Sequence, residues 1–363
     1  MIAFNKCKAK ILTENLEKYY SDKRLWQGIP SIVVTDKGRI LVAFYSGGDN
    51  EQLGNYCMLV KSDDGINFSQ PITVFDAGKK SRCFDPCLYY KEGKLWFFWA
   101  QMPKMRTFVS VCENPDDSEL IWSEPIYVSD GIMLNKPLET KSGKTLLPVA
   151  VWDWNLCKNM LRICDKVKIR KPAKKQLAYA VLMENNRFKM LGGVRSRFPS
   201  FDEHMFIEKN DGIIRSYIRT TKNIEISESK DEGLSWSDPC DSGIKNPNSR
   251  FFIGRLKSGN ILFINHYNFK GRNNLTAFIS KDDGKTFEGG LLLDERSYVS
   301  YPDACEHDGY IYVTYDRERG AKNQKLEISA KEILMAKFTE DDIVKGNIQS
   351  DKSYLKRIVS KLN

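Results

Sequence analysis

Two stretches, SKDEGLSW (residues 229–236) and SKDDGKTF (residues 280–287), repeat one pattern about fifty positions apart. A run of Ser, Asp and Gly is too polar for a core strand. Its Ser and Asp side chains bond to nearby backbone in turns, and its Gly supplies the positive φ that a tight turn demands. The closing aromatic, Trp236 or Phe287, is the one large apolar group available to pin the turn to a neighbour. The pattern predicts a turn with an aromatic anchor, and a turn recurring at a fixed period predicts a repeat architecture.

A second repeat is easier to count. A charged or polar pair, a Gly and an apolar run recur as DKGRILVAFYSG, KEGKLWFFWAQ, KSGKTLLPVAVW, NDGIIRSYIRT, KSGNILFINHY and HDGYIYVTYDR. Their glycines are Gly38, Gly93, Gly143, Gly212, Gly259 and Gly309, about 47 to 69 residues apart. Each copy predicts a two-strand hairpin with aromatic and β-branched strands. The anchored turns fall between them, at Phe68, Trp122, Phe188, Trp236 and Phe287. Only the two quoted first are well formed: KSDDGINF (residues 61–68) reads as lacking the leading Ser, and NPDDSELIW and VLMENNRF are degenerate. Units of about fifty residues with four short strands, six in phase, predict an all-β, six-bladed β-propeller. Six hairpins with five anchored turns suggest that the last blade takes its outer strand from the segment before Arg24, closing the ring.

Composition is compatible with one such domain over residues 1–363: the chain is 41% hydrophobic and 12% aromatic. No apolar run is long enough for a membrane span. The N-terminus, MIAFNKCKAK, is charged where a signal peptide is apolar, so a cytoplasmic protein is expected. Nine irregularly spaced cysteines then point to reduced thiols, and three histidines without metal-ligand spacing point away from a zinc site. Much of the +9 formal charge lies in a basic insertion at about residues 157–176. It reads as a solvated surface segment, or else as a patch for an acidic polymer. No nucleic-acid-binding motif accompanies it.

In a propeller the first strand of each blade lines the central channel, and its start shares a face with the end of the second strand. The strand starts read QGIPS (Gly28), RCFDP (Arg82, Asp85), LNKP (Lys136), FDEHM (Glu203, His204), NSRF (Arg250) and SYPDA (Tyr301, Asp303). The second-strand ends add Asp49, Glu51, Asp153, Arg219, His266, Asp316 and Arg317, with Arg272 a few residues beyond His266. Such a ring of charge is costly to desolvate unless it is paired or bound. Some members, Asp316 and Arg317 first, are candidates for salt bridges between blades. The mixture of Arg and carboxylate suits an acidic sugar, with arginines on the acid group and carboxylates on hydroxyls or as proton donors.

These residues resemble the sialidase (neuraminidase) superfamily of six-bladed propellers, whose outer turns carry the repeated Asp-box seen in SKDEGLSW and SKDDGKTF. GIPSIVVTDKGRILVAFYSGG is similar to that family's first blade, FDEHMFIEKNDGIIRSYIRT to the segment with its glutamate and second arginine, GRNNLTAFISKDDG to that with its third arginine, and SYPDACEHDGYIYVTYD to its nucleophile segment. The resemblance implies a nucleophilic Tyr301 with Glu203 as its base. It also implies Arg219 and Arg272 on the substrate carboxylate, and an acid/base in the loop SGGDNEQLGNY, filled by Asp49 or Glu51. Where the family has its first arginine this chain has Gly28, and the nearest visible substitutes are Arg24, Arg82 and Lys136.

The expected function is a retaining exo-glycosidase for sialic acid or a related acidic sugar, with no metal or organic cofactor. A neutral phenol approaches a carboxylate-bearing carbon without charge repulsion, and at an ordinary pKa near 10 it needs a base. His204 is expected either to pack beneath the site or to touch the ligand. Two rivals use the same parts: a lyase that removes a uronate α-proton with Tyr301 or His204, and a non-catalytic glycan-binding propeller.

Overall fold

A computed structural model describes residues 7–152, 177–319 and 330–363. The basic segment expected at about 157–176, and Asp153, lie outside them. The described strands form six antiparallel sheets, each of four strands in chain order, and one sheet carries an added fifth strand. The blades begin with Trp26–Val34, Cys83–Lys91, Leu138–Glu139, Met205–Glu208, Phe252–Arg255 and Val299–His307. These first strands face one another across the centre of a six-bladed β-propeller.

The blade interiors follow from strand alternation. In Lys94–Gln101, the second strand of blade 2, Phe97 and Trp99 join the apolar cluster shared with blade 1, and Phe75 stacks on Phe97 with ring centroids 4.0 Å apart. Phe98 and Trp96 point the other way, into the cluster shared with blade 3. A strand covered on both faces reads as a continuous apolar run, here LWFFWA.

All six hairpin glycines occupy equivalent turns between first and second strands, with φ between 74° and 90°. A Cβ at any of them would meet no atom within 4 Å, so backbone conformation alone selects Gly there. The Asp-boxes lie between third and fourth strands. Asp231 accepts from Ser235 N (2.8 Å), and Ser229 Oγ accepts from Gly233 N (2.8 Å); Asp282 and Ser280 repeat both bonds. KSDDGINF corrects the sequence reading: Ser62 is its leading Ser, donating to Asp64 (3.0 Å) and accepting from Gly65 N (2.9 Å). The box closes one residue early, which hid it.

Ring closure also differs from expectation. The outer strand of blade 6 is C-terminal, Tyr354–Lys361, paired with Glu332–Phe338. The N-terminal strand Lys10–Leu12 instead extends blade 1, pairing with Thr73–Asp76. Its few residues find a free edge on blade 1, while the edge of Glu332–Phe338 is already taken. Blades 6 and 1 are joined by an apolar cluster that holds Ile32 and Val42 of blade 1 with Ile333 and Met335 of blade 6, and by polar contacts. Asp316 accepts from Ile29 N (2.7 Å), Asp303 accepts from Ile32 N (2.9 Å), and Tyr354 Oη donates to Gly65 O (3.1 Å).

Candidate active site

Three blades open with the same backbone device. Ile29, Asp85 and Tyr301 have φ of 57°, 49° and 58°, each precedes a Pro, and each sits at a register shift in its first strand. The extra residue bulges out and re-aims its side chain. Left-handed backbone at a non-Gly residue costs about 1–3 kcal/mol and persists where the surroundings impose it. Asp202, immediately before Glu203 and outside the strand, also has left-handed backbone, with φ 48°.

The bulge brings Tyr301 to Glu203 and Arg219. Tyr301 Oη donates to Glu203 Oε1 (3.0 Å), and Arg219 Nη1 donates to both Tyr301 Oη (2.9 Å) and Glu203 Oε2 (2.5 Å). All three side chains are buried. Burial raises the phenol's pKa; Arg219, Arg272 and Arg319 oppose that rise and Glu203 adds to it. Asn248 fixes two of the arginines: its Oδ1 accepts from Arg219 Nε (3.0 Å), and its carbonyl accepts from Arg219 Nη2 (2.8 Å) and Arg272 Nη2 (3.0 Å). The Arg272 guanidinium lies 5.5 Å from the Tyr301 ring centroid.

Arg319, just past the second strand of blade 6, was not singled out from the sequence. Its guanidinium lies 4.3 Å from the Tyr301 ring centroid, nearer than Arg219 at 5.8 Å or Arg272. Its Nε donates to Asp316 (2.8 Å), Nη2 to Ser300 Oγ (3.1 Å) and Nη1 to Glu51 (3.2 Å). So Glu51 is tied to the cluster through Arg319, while Asp49 is half-buried on the same loop. Asp85 is almost fully buried, and that burial pushes its carboxyl up to about 8; Arg82 opposes the shift, and Glu51 and Glu203 add to it. Arg82 is buried with its guanidinium 4.0 Å from the Phe84 ring.

Other expected ligand contacts go elsewhere. One step further along the strands, Asp303 takes Lys136 Nζ (2.7 Å) and Arg250 Nη2 (3.1 Å), and Arg250 Nε donates to Asn135 (2.7 Å). Lys136 also donates to the carbonyls of Ile32 and Leu88, both at 2.7 Å. This network ties the strand starts together, and Lys136, Arg250 and Asp303 bond within it rather than to Tyr301, Glu203 or Arg219. His204 is buried between the carbonyls of Asp202 (3.0 Å) and Tyr179 (3.1 Å), and burial pushes its pKa down to about 4. His266 is likewise enclosed, with Nδ1 on Asn273 O (2.8 Å). Arg317 pairs across the strand with Glu332 (3.3 Å) within blade 6, because alternation turns it away from its neighbour Asp316. Arg24 is spent on Gln27, Ser46 and Ser360.

Arg319 was missed because it lies two residues past its strand end, and Asn248 because it is the uncharged first residue of the strand start NSRF, from which only Arg250 was taken. The signal available for Arg319 was the charged run YDRERG directly after the last hairpin.

A six-bladed propeller with Asp-boxes and a tyrosine–glutamate–arginine cluster at its mouth defines a sialidase-like architecture. The model of the BNR repeat-like domain matches residues 38–313, and the chain belongs to that family. No curated protein matches it. Among solved structures, the leech intramolecular trans-sialidase complexed with 2,7-anhydro-Neu5Ac is 14% identical, with a TM-score of 0.66 over 92% of this chain and 71% of that one. A Dyadobacter fermentans protein of unknown function is 18% identical, with a TM-score of 0.63 over 82% and 91%. Trypanosoma rangeli sialidase in complex with sialic acid is 14% identical, with a TM-score of 0.56 over 80% of this chain; the chain spans 52%, about half, of its length. At these identities the likeness establishes the fold. Among the described residues no helix is long and apolar enough to cross a membrane.

Proposed function

We propose that the chain is an exo-glycosidase that removes an acidic sugar, sialic acid or a relative, with retention through Tyr301. One observation carries this reading: a single buried guanidinium nitrogen, Arg219 Nη1, bonds both the phenol oxygen and the carboxylate that accepts the phenol's proton. That is the arrangement a phenolic nucleophile needs. Glu203 takes the proton as the oxygen attacks the anomeric carbon, and Arg219 stabilises the phenolate character that develops.

The leaving oxygen takes a proton from a carboxyl of the loop after the first hairpin. Asp49 and Glu51 are the two candidates, and Arg319 holds Glu51 beside the cluster. Water, deprotonated by the same carboxylate, then displaces Tyr301 from the glycosyl–enzyme intermediate, and Glu203 returns the phenol's proton. Asp85, kept protonated by burial near neutral pH, offers a hydrogen bond to a sugar hydroxyl.

Tyr301→Phe removes only the reacting oxygen and is expected to lower turnover by several orders of magnitude while leaving the fold intact, checked by steady-state kinetics and circular dichroism. Near-wild-type turnover by the Phe variant rules the nucleophile out. Product mass separates the rival chemistry: hydrolysis adds one water to the released sugar, whereas elimination leaves an unsaturated sugar that absorbs in the ultraviolet.

A further inference from the structure

The first strand of blade 6 meets three environments in turn. Tyr301 bonds Glu203, Asp303 bonds Lys136 and Arg250, and Cys305 lines a cavity of about 580 Å³. Along an extended strand these are successive levels, so the cavity begins on the far side of the Asp303 network from the phenol. In blade 1, Ser31 and Val33 repeat the last two steps. All six first strands supply the wall: Val33, Tyr89, Leu138, Ile207, Ile253 and Cys305 come one from each blade. Most of these side chains are apolar, and the volume suits a small organic molecule, whose sites span about 300–1,000 Å³.

The inner end is charged, and its charges do not cancel. Lys136 and Arg250 share the carboxylate of Asp303, and neither pairs with another among the described residues. Asp303 accepts from Ser31 Oγ (2.6 Å), Ile32 N (2.9 Å), Lys136 Nζ (2.7 Å) and Arg250 Nη2 (3.1 Å). Those bonds fill the roughly four acceptor positions of a carboxylate. The second positive charge meets only neutral oxygens, the Ile32 and Leu88 carbonyls on Lys136 and those of Asn135 and Pro30 on Arg250. Arg250 and Asp303 have no exposed side-chain surface, whereas Lys136, which lines the cavity, keeps 18% of its own. A desolvated cation in excess is stabilised by an anion brought beside it. The other charged groups of the wall are already engaged. Glu139 pairs with Lys91 (3.3 Å), Arg255 pairs with Asp283, and Glu306 accepts from Lys257 N (2.7 Å).

We propose that this cavity is a second ligand site, for a molecule with an apolar body and one anionic head, of the class of a straight-chain fatty acid. The head lies at the inner end beside Lys136, where it balances the excess charge. The tail lies along the apolar walls. The site shares no side chain with the glycosidase scheme above and stands or falls without it.

The test is calorimetric titration of the full chain with octanoate, 1-octanol and octylamine, which share a tail and differ in head. Octanoate should bind about tenfold or more tighter than the alcohol, and the amine more weakly than either. Shortening the acid to hexanoate and butanoate should cost about fourfold per methylene, as apolar contact with the walls is lost. Lys136→Met leaves Arg250 and Asp303 as a balanced pair and should bring octanoate and octanol to near-equal affinity. Leu138→Trp, which fills the cavity, should weaken both by roughly tenfold or more.

The arginines around Tyr301 also attract acids, so Arg272→Ala is the control, and it should leave octanoate binding unchanged. If Lys136→Met fails to fold by circular dichroism, Lys136→Gln carries the same comparison, and the head-group series on the wild type needs no variant. A wild type that binds no octanoate, or binds acid and alcohol equally, overturns the proposal. So does an acid preference that survives loss of Lys136, binding indifferent to Leu138→Trp, or binding lost in Arg272→Ala.

Discussion

Asp85 shows how one bulge sets a residue's chemistry. Held at positive φ before Pro86, its carboxyl has almost no access to water, and burial lifts its pKa to about 8. An unfolded Asp titrates near 4, so between about pH 4 and 8 the native state holds the extra proton. Stability therefore falls as pH rises through that window. Asp85→Asn, which has no proton to hold, should unfold at a higher temperature than wild type at pH 7.5, with a smaller advantage at pH 4.5. Parallel pH curves for the two proteins would refute the buried-acid account. Tyr301 uses the same bulge, and its neighbour two residues on, Asp303, belongs to the channel network instead.

At the scale of the element, two classes of glycine do different work. Hairpin glycines such as Gly143 need only their φ of 85°, with open space around them. Asp-box glycines also meet the preceding blade: a Cβ on Gly284, at φ 79°, would lie 2.7 Å from Tyr217 Oη of blade 4, and one on Gly233 3.3 Å from Ala180 of blade 3. Gly143→Ala is expected to cost about 1 kcal/mol from backbone strain alone. Gly284→Ala should cost about 2–3 kcal/mol, because overpacking at the blade interface adds to the strain. Chemical denaturation of both variants measures the difference, and equal losses would mean that the box does not transmit contact between blades.

At the scale of the whole molecule, closure decides which end of the chain matters. Tyr354–Lys361 completes blade 6, and Tyr354 also bonds the Asp-box of blade 1. Lys10–Leu12 only lengthens an edge that already has its neighbour. Deleting residues 354–363 should abolish cooperative unfolding, whereas deleting residues 1–13 should leave a cooperative transition lowered by a few degrees. A chain that tolerates the C-terminal deletion better would restore the N-terminal closure that the hairpin count suggested. The same junction brings Asp316 and Arg319 of blade 6 against Ile29 and Gly28 of blade 1, so the mouth depends on closure being correct.

The sequence alone determined whatever repeats or alternates locally. Six glycines in phase specified six hairpins, two Asp-boxes specified the outer turns, and the first-strand starts with Tyr301 and Glu203 and the second-strand end with Arg219 share one face, where the structure joins them by hydrogen bonds. A third box escaped notice because a one-residue contraction puts Gly65 directly after Asp64, which shifts Ser62 and Asp64 against the Gly by which the boxes align. What the tertiary structure decided is pairing between distant segments. Which terminus closes the ring, which charges sink into the channel network with Lys136, Arg250 and Asp303, and which arginine fills the space at Gly28 all depend on contacts across blades. Periodicity places residues on a strand and a face, but the partner of a buried charge is selected by desolvation among whatever groups the closed ring brings within reach, and for Gly28 that partner lies 291 positions along the chain, at Arg319 (319 − 28).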